Sequence, residues 1–205
     1  MSTRQAVVSQ FARPRGFLGR VAGWILAGRG SNVLRNRWTV DLLDPSSGEM
    51  VLEVGCGPGV ALALCLSRAS VRAVGVDHSD VMIAQAAKRN RKALKAGRLK
   101  LFEGTIDALP DGWGPFDKAF SINVIQFVDQ PAFIARVKRL LKPGGIFAAT
   151  YQPRHAKATR ADALKMAARL SEMLTAQGFA SVRTEELDLK PVPAVCVLAR
   201  TPPGP

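Results

Sequence analysis

Residues Met50–Val60 read M-V-L-E-V-G-C-G-P-G-V, and their reading decides the fold. A short apolar strand, Met50–Val54, carries Glu53 near its C-terminal end. Gly55, Cys56, Gly57, Pro58 and Gly59 then turn the chain into a helix whose apolar face is Ala61, Leu62, Leu64 and Cys65. Glycines allow positive φ and close backbone approach to a ligand, and a helix start presents free N–H groups. Such a strand–turn–helix is how an α/β sheet binds a nucleoside-bearing ligand beyond the C-terminal ends of its strands.

The spacing narrows the ligand. The dinucleotide fingerprint G-x-G-x-x-G is not met, because its third glycine falls on Val60; the pattern is Glu53-x-Gly55-x-Gly57-x-Gly59. No Gly-Lys-Ser/Thr follows, so this is no phosphate-cradling P-loop. A second strand, Val71–Val76, ends in Asp77, about 20 residues past the glycines, where an acid accepts hydrogen bonds from ribose hydroxyls. The site suits an adenosine-type ribose and makes little provision for a pyrophosphate.

Working outward, strands and helices alternate. Helices are expected within Gly16–Ala27 and at Ser31–Leu43, then a helix from the glycine turn to Ser67, a helix Ser79–Lys95 capped by Ser79, and strand Leu99–Gly104. Strand Phe116–Asn123, helix Pro131–Leu141 and strand Gly145–Tyr151 follow. Helix Arg160–Gln177 has a core stripe at Ala163, Ala167, Leu170 and Leu174 and a capping box of Thr159 with Asp162. Two strands, Ser181–Lys190 and Ala194–Arg200, end the chain. Alternating β and α units imply a parallel sheet covered on both faces.

The motifs resemble those of the class I S-adenosylmethionine-dependent methyltransferases of the small, single-domain type, over roughly Val40–Thr201. E-V-G-C-G-P-G resembles the first motif, V-G-V-D at Val74–Asp77 the second, L-F-E-G-T-I-D-A-L-P at Leu101–Pro110 the third-strand motif flanking adenine, F-D-K-A-F-S-I-N-V-I-Q-F at Phe116–Phe127 the fourth strand, and L-L-K-P-G-G at Leu140–Gly145 the turn into the fifth. The resemblance implies a Rossmann-like, doubly wound seven-stranded sheet, mostly parallel with an antiparallel last strand, plus N-terminal helices. It also implies S-adenosylmethionine as cofactor, S-adenosylhomocysteine as product, and in-line transfer of the sulfonium methyl. It divides the chain into a basic helical lid segment, 1–43, and a methyltransferase domain, 44–205.

On that resemblance Gly55, Cys56, Gly57 and Gly59 lie along the methionine and ribose. Glu53 holds the loop amides or reaches the methionine ammonium, Asp77 takes the ribose, and His78 packs beside the adenine. Thr105, Ile106 and Asp107 border the adenine, and Asn123 faces the methionine and acceptor. Other readings stay open: Asp77 as a helix cap, Glu53 as a brace, His78 as a surface residue, Asn123 as a turn residue, and Cys56 as a loop filler. One departure stands out: Thr105 follows Gly104 where the family carries an acid, and the acid comes two places later at Asp107. Tyr151 and His155, after the fifth strand, are candidates for shuttling a proton, or a solvated loop.

Composition and charge bound the rest. In 205 residues, 47% of them hydrophobic, there is room for one α/β domain with a real core. Cys56, Cys65 and Cys196 form no C-x-x-C, and with His78 and His155 make no familiar metal cluster, which reads as free thiols in a cytoplasmic protein. The acceptor is expected to be a small molecule. Nucleobase-amine and glutamine methylation are disfavoured, because Ser121–Gln126 lacks Asn/Asp-Pro-Pro-aromatic, and cytosine C5 chemistry lacks a placed thiolate. The net charge of +13 concentrates in Arg13–Arg37 and Lys88–Lys100. It admits an anionic membrane surface reached through an amphipathic Gly16–Ala27 helix (with a quinone or lipid headgroup as acceptor), and, less in keeping with the sequence, nucleic acid.

Overall fold

The computed structural model describes residues 30–68 and 70–204. The helix expected within Gly16–Ala27, and with it the membrane-facing and lid roles given to that segment, lies outside the described residues.

The first described helix, α1 (Gly30–Leu43), leads to β1 (Met50–Val54), the glycine turn and α2 (Val60–Arg68). Then come β2 (Arg72–Asp77), α3 (Asp80–Arg89), the short α4 (Arg91–Lys95), β3 (Leu99–Glu103), β4 (Phe116–Ile122), α5 (Gln130–Leu140), β5 (Leu141–Tyr151), α6 (Arg160–Ala176), β6 (Ala180–Leu187) and β7 (Ala194–Arg200). Single 3₁₀ turns at Ile106–Ala108, Asp111–Trp113 and Ile125–Phe127 punctuate the connections around β3 and β4.

The seven strands form one sheet in the order β3-β2-β1-β4-β5-β7-β6. β1 to β5 pair parallel, and β7 runs antiparallel to both β5 and β6. The mostly parallel, doubly wound sheet with a reversed last strand is therefore as expected. The order reverses direction at β1, between β2 and β4. Crevices of open α/β sheets form at such a switch point, outside the carboxyl ends of the strands.

Strand alternation divides the core between the two faces. Leu52 and Val54 join Phe116, Ile134, Phe147, Leu170 and Leu174 on one side, under α5 and α6. Val51 joins Val40, Leu43, Leu62, Phe120 and Leu198 on the other, under α1 and α2. By the same alternation Glu53 falls on the α2 side, a carboxylate where an apolar residue would pack.

Three elements differ from the sequence reading by more than one residue. The helix expected over Ser79–Lys95 is interrupted at Asn90, whose side-chain amide donates to Gly59 O and Ala86 O, 3.0 Å each, and pins the break to the glycine turn. β5 begins at Leu141 rather than Gly145. Its pairing slips between Phe116↔Leu141 and Lys118↔Ile146, so Pro143–Gly145 bulge inside the strand instead of preceding it. β6 stops at Leu187, before Lys190. The two expected caps are present: Ser79 Oγ accepts from Met82 N, and Thr159 and Asp162 form a reciprocal capping box.

Candidate active site

The glycine turn is built by hydrogen bonds to β2. Gly55 N and Cys56 N both donate to Val76 O, at 2.8 and 2.9 Å. Gly57 N donates to Asp77 Oδ2 at 2.8 Å, and Ser79 N to Asp77 Oδ1 at 3.0 Å. The ends of β1 and β2 thus converge on one carboxylate. Two of its roughly four lone-pair positions are taken by the loop, and His78 Nδ1 stands 3.8 Å from Oδ1. Gly104 N donates to Asp77 O at 2.9 Å, which brings the end of β3 to the same place.

Positive φ is required at Gly55, and a Cβ there would stand 2.3 Å from Val124 Cγ2. Gly59 also has positive φ, but its missing Cβ faces α3, where it would meet Asn90 Nδ2 at 2.6 Å and Ala86. Gly55 and Gly59 therefore serve different ends: the first narrows the crevice against the segment after β4, and the second lets α3 lie against the turn. Gly57 has open space where its Cβ would be.

Beneath the turn, Glu53 is 2% exposed. Burial pushes its carboxyl well above the usual range, the nearby Asp77 charge adds to this, and the Leu62 N–H opposes it. Its Oε2 is buried without a hydrogen-bond partner among the described residues. Cys56 is buried in the same place, its thiol pushed up by burial and then by Glu53 and Asp77, which makes it packing and not a nucleophile.

A cavity of about 280 Å³ opens beside this convergence, close to the lower end of the roughly 300–1,000 Å³ of small-ligand clefts. Val54, Val76, Ile106, Val124, Val128 and Phe133 give it apolar walls, and Asp77, His78, Thr105, Asp107 and Asp129 a polar margin. Of the residues singled out from sequence, Gly55, Asp77, His78, Thr105, Ile106 and Asp107 line it. Thr105 and Asp107 are both on its wall, so the displaced acid still reaches the cavity that the missing one would have faced.

Glu53, Cys56, Gly57 and Gly59 stand behind or beside the cavity. Asn123, at φ 56°, ties β4 to β5: its N–H donates to Thr150 O at 2.8 Å, and its Oδ1 accepts from Gln152 N at 2.8 Å. Tyr151 and His155 are not on the cavity wall. Tyr151 is half-buried at the end of β5, and burial followed by the Asp162 charge raises its pKa. His155 is exposed, with Nε2 3.7 Å from Asp162 Oδ2 at the α6 cap.

The segment after the fourth strand, Ile125–Asp129, is expected from the sequence on the acceptor side, and its Val128 and Asp129 line the cavity; Val124 and Phe133, which close it from the same β4–α5 connection, are not singled out by the sequence. The sequence reading also missed Asn90 and Arg89, whose Nε donates to Pro58 O at 2.8 Å and braces the turn from α3.

A doubly wound sheet with a glycine turn and an acid at its switch point is the architecture of Rossmann-like nucleotide-binding folds. Comparison with known proteins names the family. Residues 51–145 match the model of the methyltransferase domain. The chain is 33% identical to the uncharacterized methyltransferase YdaC of Bacillus subtilis over 89% of this chain and 98% of that protein. It belongs to the class I S-adenosylmethionine-dependent methyltransferases, and its cofactor is S-adenosylmethionine. Among solved structures, magnesium protoporphyrin IX methyltransferase from Synechocystis, with bound S-adenosylmethionine, shares the fold at TM-score 0.65 and 18% identity, over 83% of this chain and 80% of that one. The 4+2 cyclase SpnF does so at TM-score 0.67 and 20% identity, over 84% and 82%. Because a cyclase shares it, this fold alone does not define the reaction.

Among the described residues, no group of His, Cys, Asp and Glu side chains could hold a metal ion, and no helix is long and apolar enough to cross a membrane.

Proposed function

We propose that the chain methylates a small-molecule acceptor, with the adenosine half of the cofactor in the 280 Å³ cavity and the acceptor entering over the β4 and β5 ends. The convergence of the glycine turn and Asp77 on that cavity carries this reading. When bound, the cofactor supplies a sulfonium methyl for in-line transfer. The protein's share is orientation and exclusion of water. Asp77 offers its carboxylate to ribose hydroxyls while its bonds from Gly57 N and Ser79 N keep the turn in shape. Ile106 and Val124 flank the base, with Thr105 and Asp107 at its edge. Glu53, through its unpartnered Oε2, holds positive charge near the turn. Tyr151 and His155 lie off the cavity that takes the adenosine, and the raised pKa of Tyr151 makes it a poor base at neutral pH, so on this reading positioning of donor and acceptor carries the transfer.

Calorimetric titration with S-adenosylhomocysteine tests the assignment. Wild type should bind, and Asp77→Asn should weaken binding by about 1–3 kcal/mol as two hydrogen bonds to a charged acceptor lose strength. Asp77→Ala should in addition lower the melting temperature, because Gly57 N and Ser79 N lose their acceptor. Tyr151→Phe and His155→Ala should leave binding and turnover within a few-fold of wild type. No binding by wild type, or equal binding by Asp77→Asn, overturns the placement of the cofactor. A loss of turnover of about a hundredfold or more in either of the last two variants would assign a base.

A further inference from the structure

Arg35, on α1, is 2% exposed. Among the described residues its Nη1 donates to Gln152 Oε1 and its Nη2 to Asn32 Oδ1, both neutral amides, and its Nε is buried with no acceptor. A buried guanidinium is costly unless an anion compensates it, and among the described residues no carboxylate is within ion-pair distance. The preceding chain cannot supply an acidic side chain either, because residues 1–40 contain seven arginines and no Asp or Glu. The first acid, Asp41, pairs with Arg68. Arg154, on the loop after β5, adds a second positive charge close enough to Arg35 to help burial pull its pKa down to about 9.

The position is specific. Thr39 Oγ1 and Thr150 Oγ1, 2.7 Å apart, tie α1 to the end of β5. Gln152 holds Arg35 on one side, donates to Val192 O at 2.7 Å, and through its backbone N–H meets Asn123, the neighbour of cavity-lining Val124. Arg35 therefore stands beyond the β4 and β5 ends, across the switch point from the ribose-binding end of β2.

We propose that Arg35, assisted by Arg154, binds the carboxylate or phosphate group of an anionic methyl acceptor. Guanidinium is suited to both, because its planar fork of donors matches their paired oxygens. That the bound anion is a methyl acceptor rests on the proposed methyl transfer; the anion site itself does not.

The test uses the full chain, free and saturated with S-adenosylhomocysteine, titrated calorimetrically with inorganic phosphate and with benzoate against chloride at matched ionic strength. At least one of the two probes should bind wild type, and which one does separates phosphate from carboxylate recognition. Arg35→Gln should weaken that binding by about tenfold or more, the scale of a hydrogen bond to a charged group. Arg35→Lys should restore it only in part, and S-adenosylhomocysteine affinity should stay within about twofold. If Arg35→Gln does not fold, exposed Arg154→Gln decides, with a several-fold loss expected. Failure of wild type to bind either probe, or equal binding by the folded variants, overturns the proposal. Arg35-dependent anion binding by a chain that ignores S-adenosylhomocysteine would overturn the cofactor placement and leave this site standing.

Discussion

Glu53 occupies a strand position where its neighbours on that face are apolar, and it carries the clearest residue-scale signature of function. A carboxyl held above its ordinary value retains its proton in the native state at pH values where the unfolded chain has released it. Charging Glu53 in the fold therefore costs stability. That cost is absent below the unfolded value of about 4.3, grows as pH rises toward the folded value, and is constant above it. Glu53→Gln removes the charge and should melt higher than wild type by a margin that widens from about pH 4.3 upward and then levels. The same variant should bind S-adenosylmethionine more weakly. Thermal melts across pH, with a titration at one pH, check both, and a margin that stays flat would mean that Glu53 is not buried as an unpaired acid.

At the scale of elements, the glycine turn is held less by its own sequence than by what surrounds it. Val76 O takes two of its amides, Asp77 takes a third, and Asn90 and Arg89 reach back from α3 to its carbonyls. Asn90→Ala removes two hydrogen bonds from a buried site and should cost about 1–3 kcal/mol while also weakening cofactor binding. Thr159→Ala is the control. It breaks an exposed capping box at the start of α6, away from the cavity, and should cost about 1 kcal/mol with binding unchanged. Chemical denaturation and cofactor titration on the two variants should separate in this way. If the two behave alike, the brace from α3 does not support the site.

Across the whole molecule, the two faces of the sheet hold different parts of the machinery. The α1–α2 face contains Glu53, all three cysteines and Arg35, and the α5–α6 face closes the cavity through Val128 and Phe133. The cysteines report on the first face. Each is buried, and burial pushes each thiol up, Cys196 to about 12. A thiol-reactive chromophore should leave the folded chain unmodified and react with three equivalents on unfolding. Fast reaction of even one thiol in the native protein would show that this face opens.

The primary sequence by itself determined the strand–helix alternation, the glycine turn, the acid ending β2 and both side-chain caps. These are local: hydrophobic period, glycine spacing and cap chemistry act over a few residues and survive without knowledge of the partner strand. It also placed Asp77 at the end of β2 by its spacing from the glycines, while Thr105 and Asp107 were marked by the family resemblance; all three line the cavity. Only the tertiary structure decided that the Cβ position of Gly59 faces α3, that Asn90 breaks its helix to pin the turn, and that Tyr151 and His155 stand off the cavity wall. The same holds for Arg35, which looked like one of many basic residues until folding buried it without an acid. Those outcomes depend on contacts between segments far apart in the chain, such as Asn90 with Gly59 or Arg35 with Gln152, and no periodicity along one segment encodes what another brings to meet it.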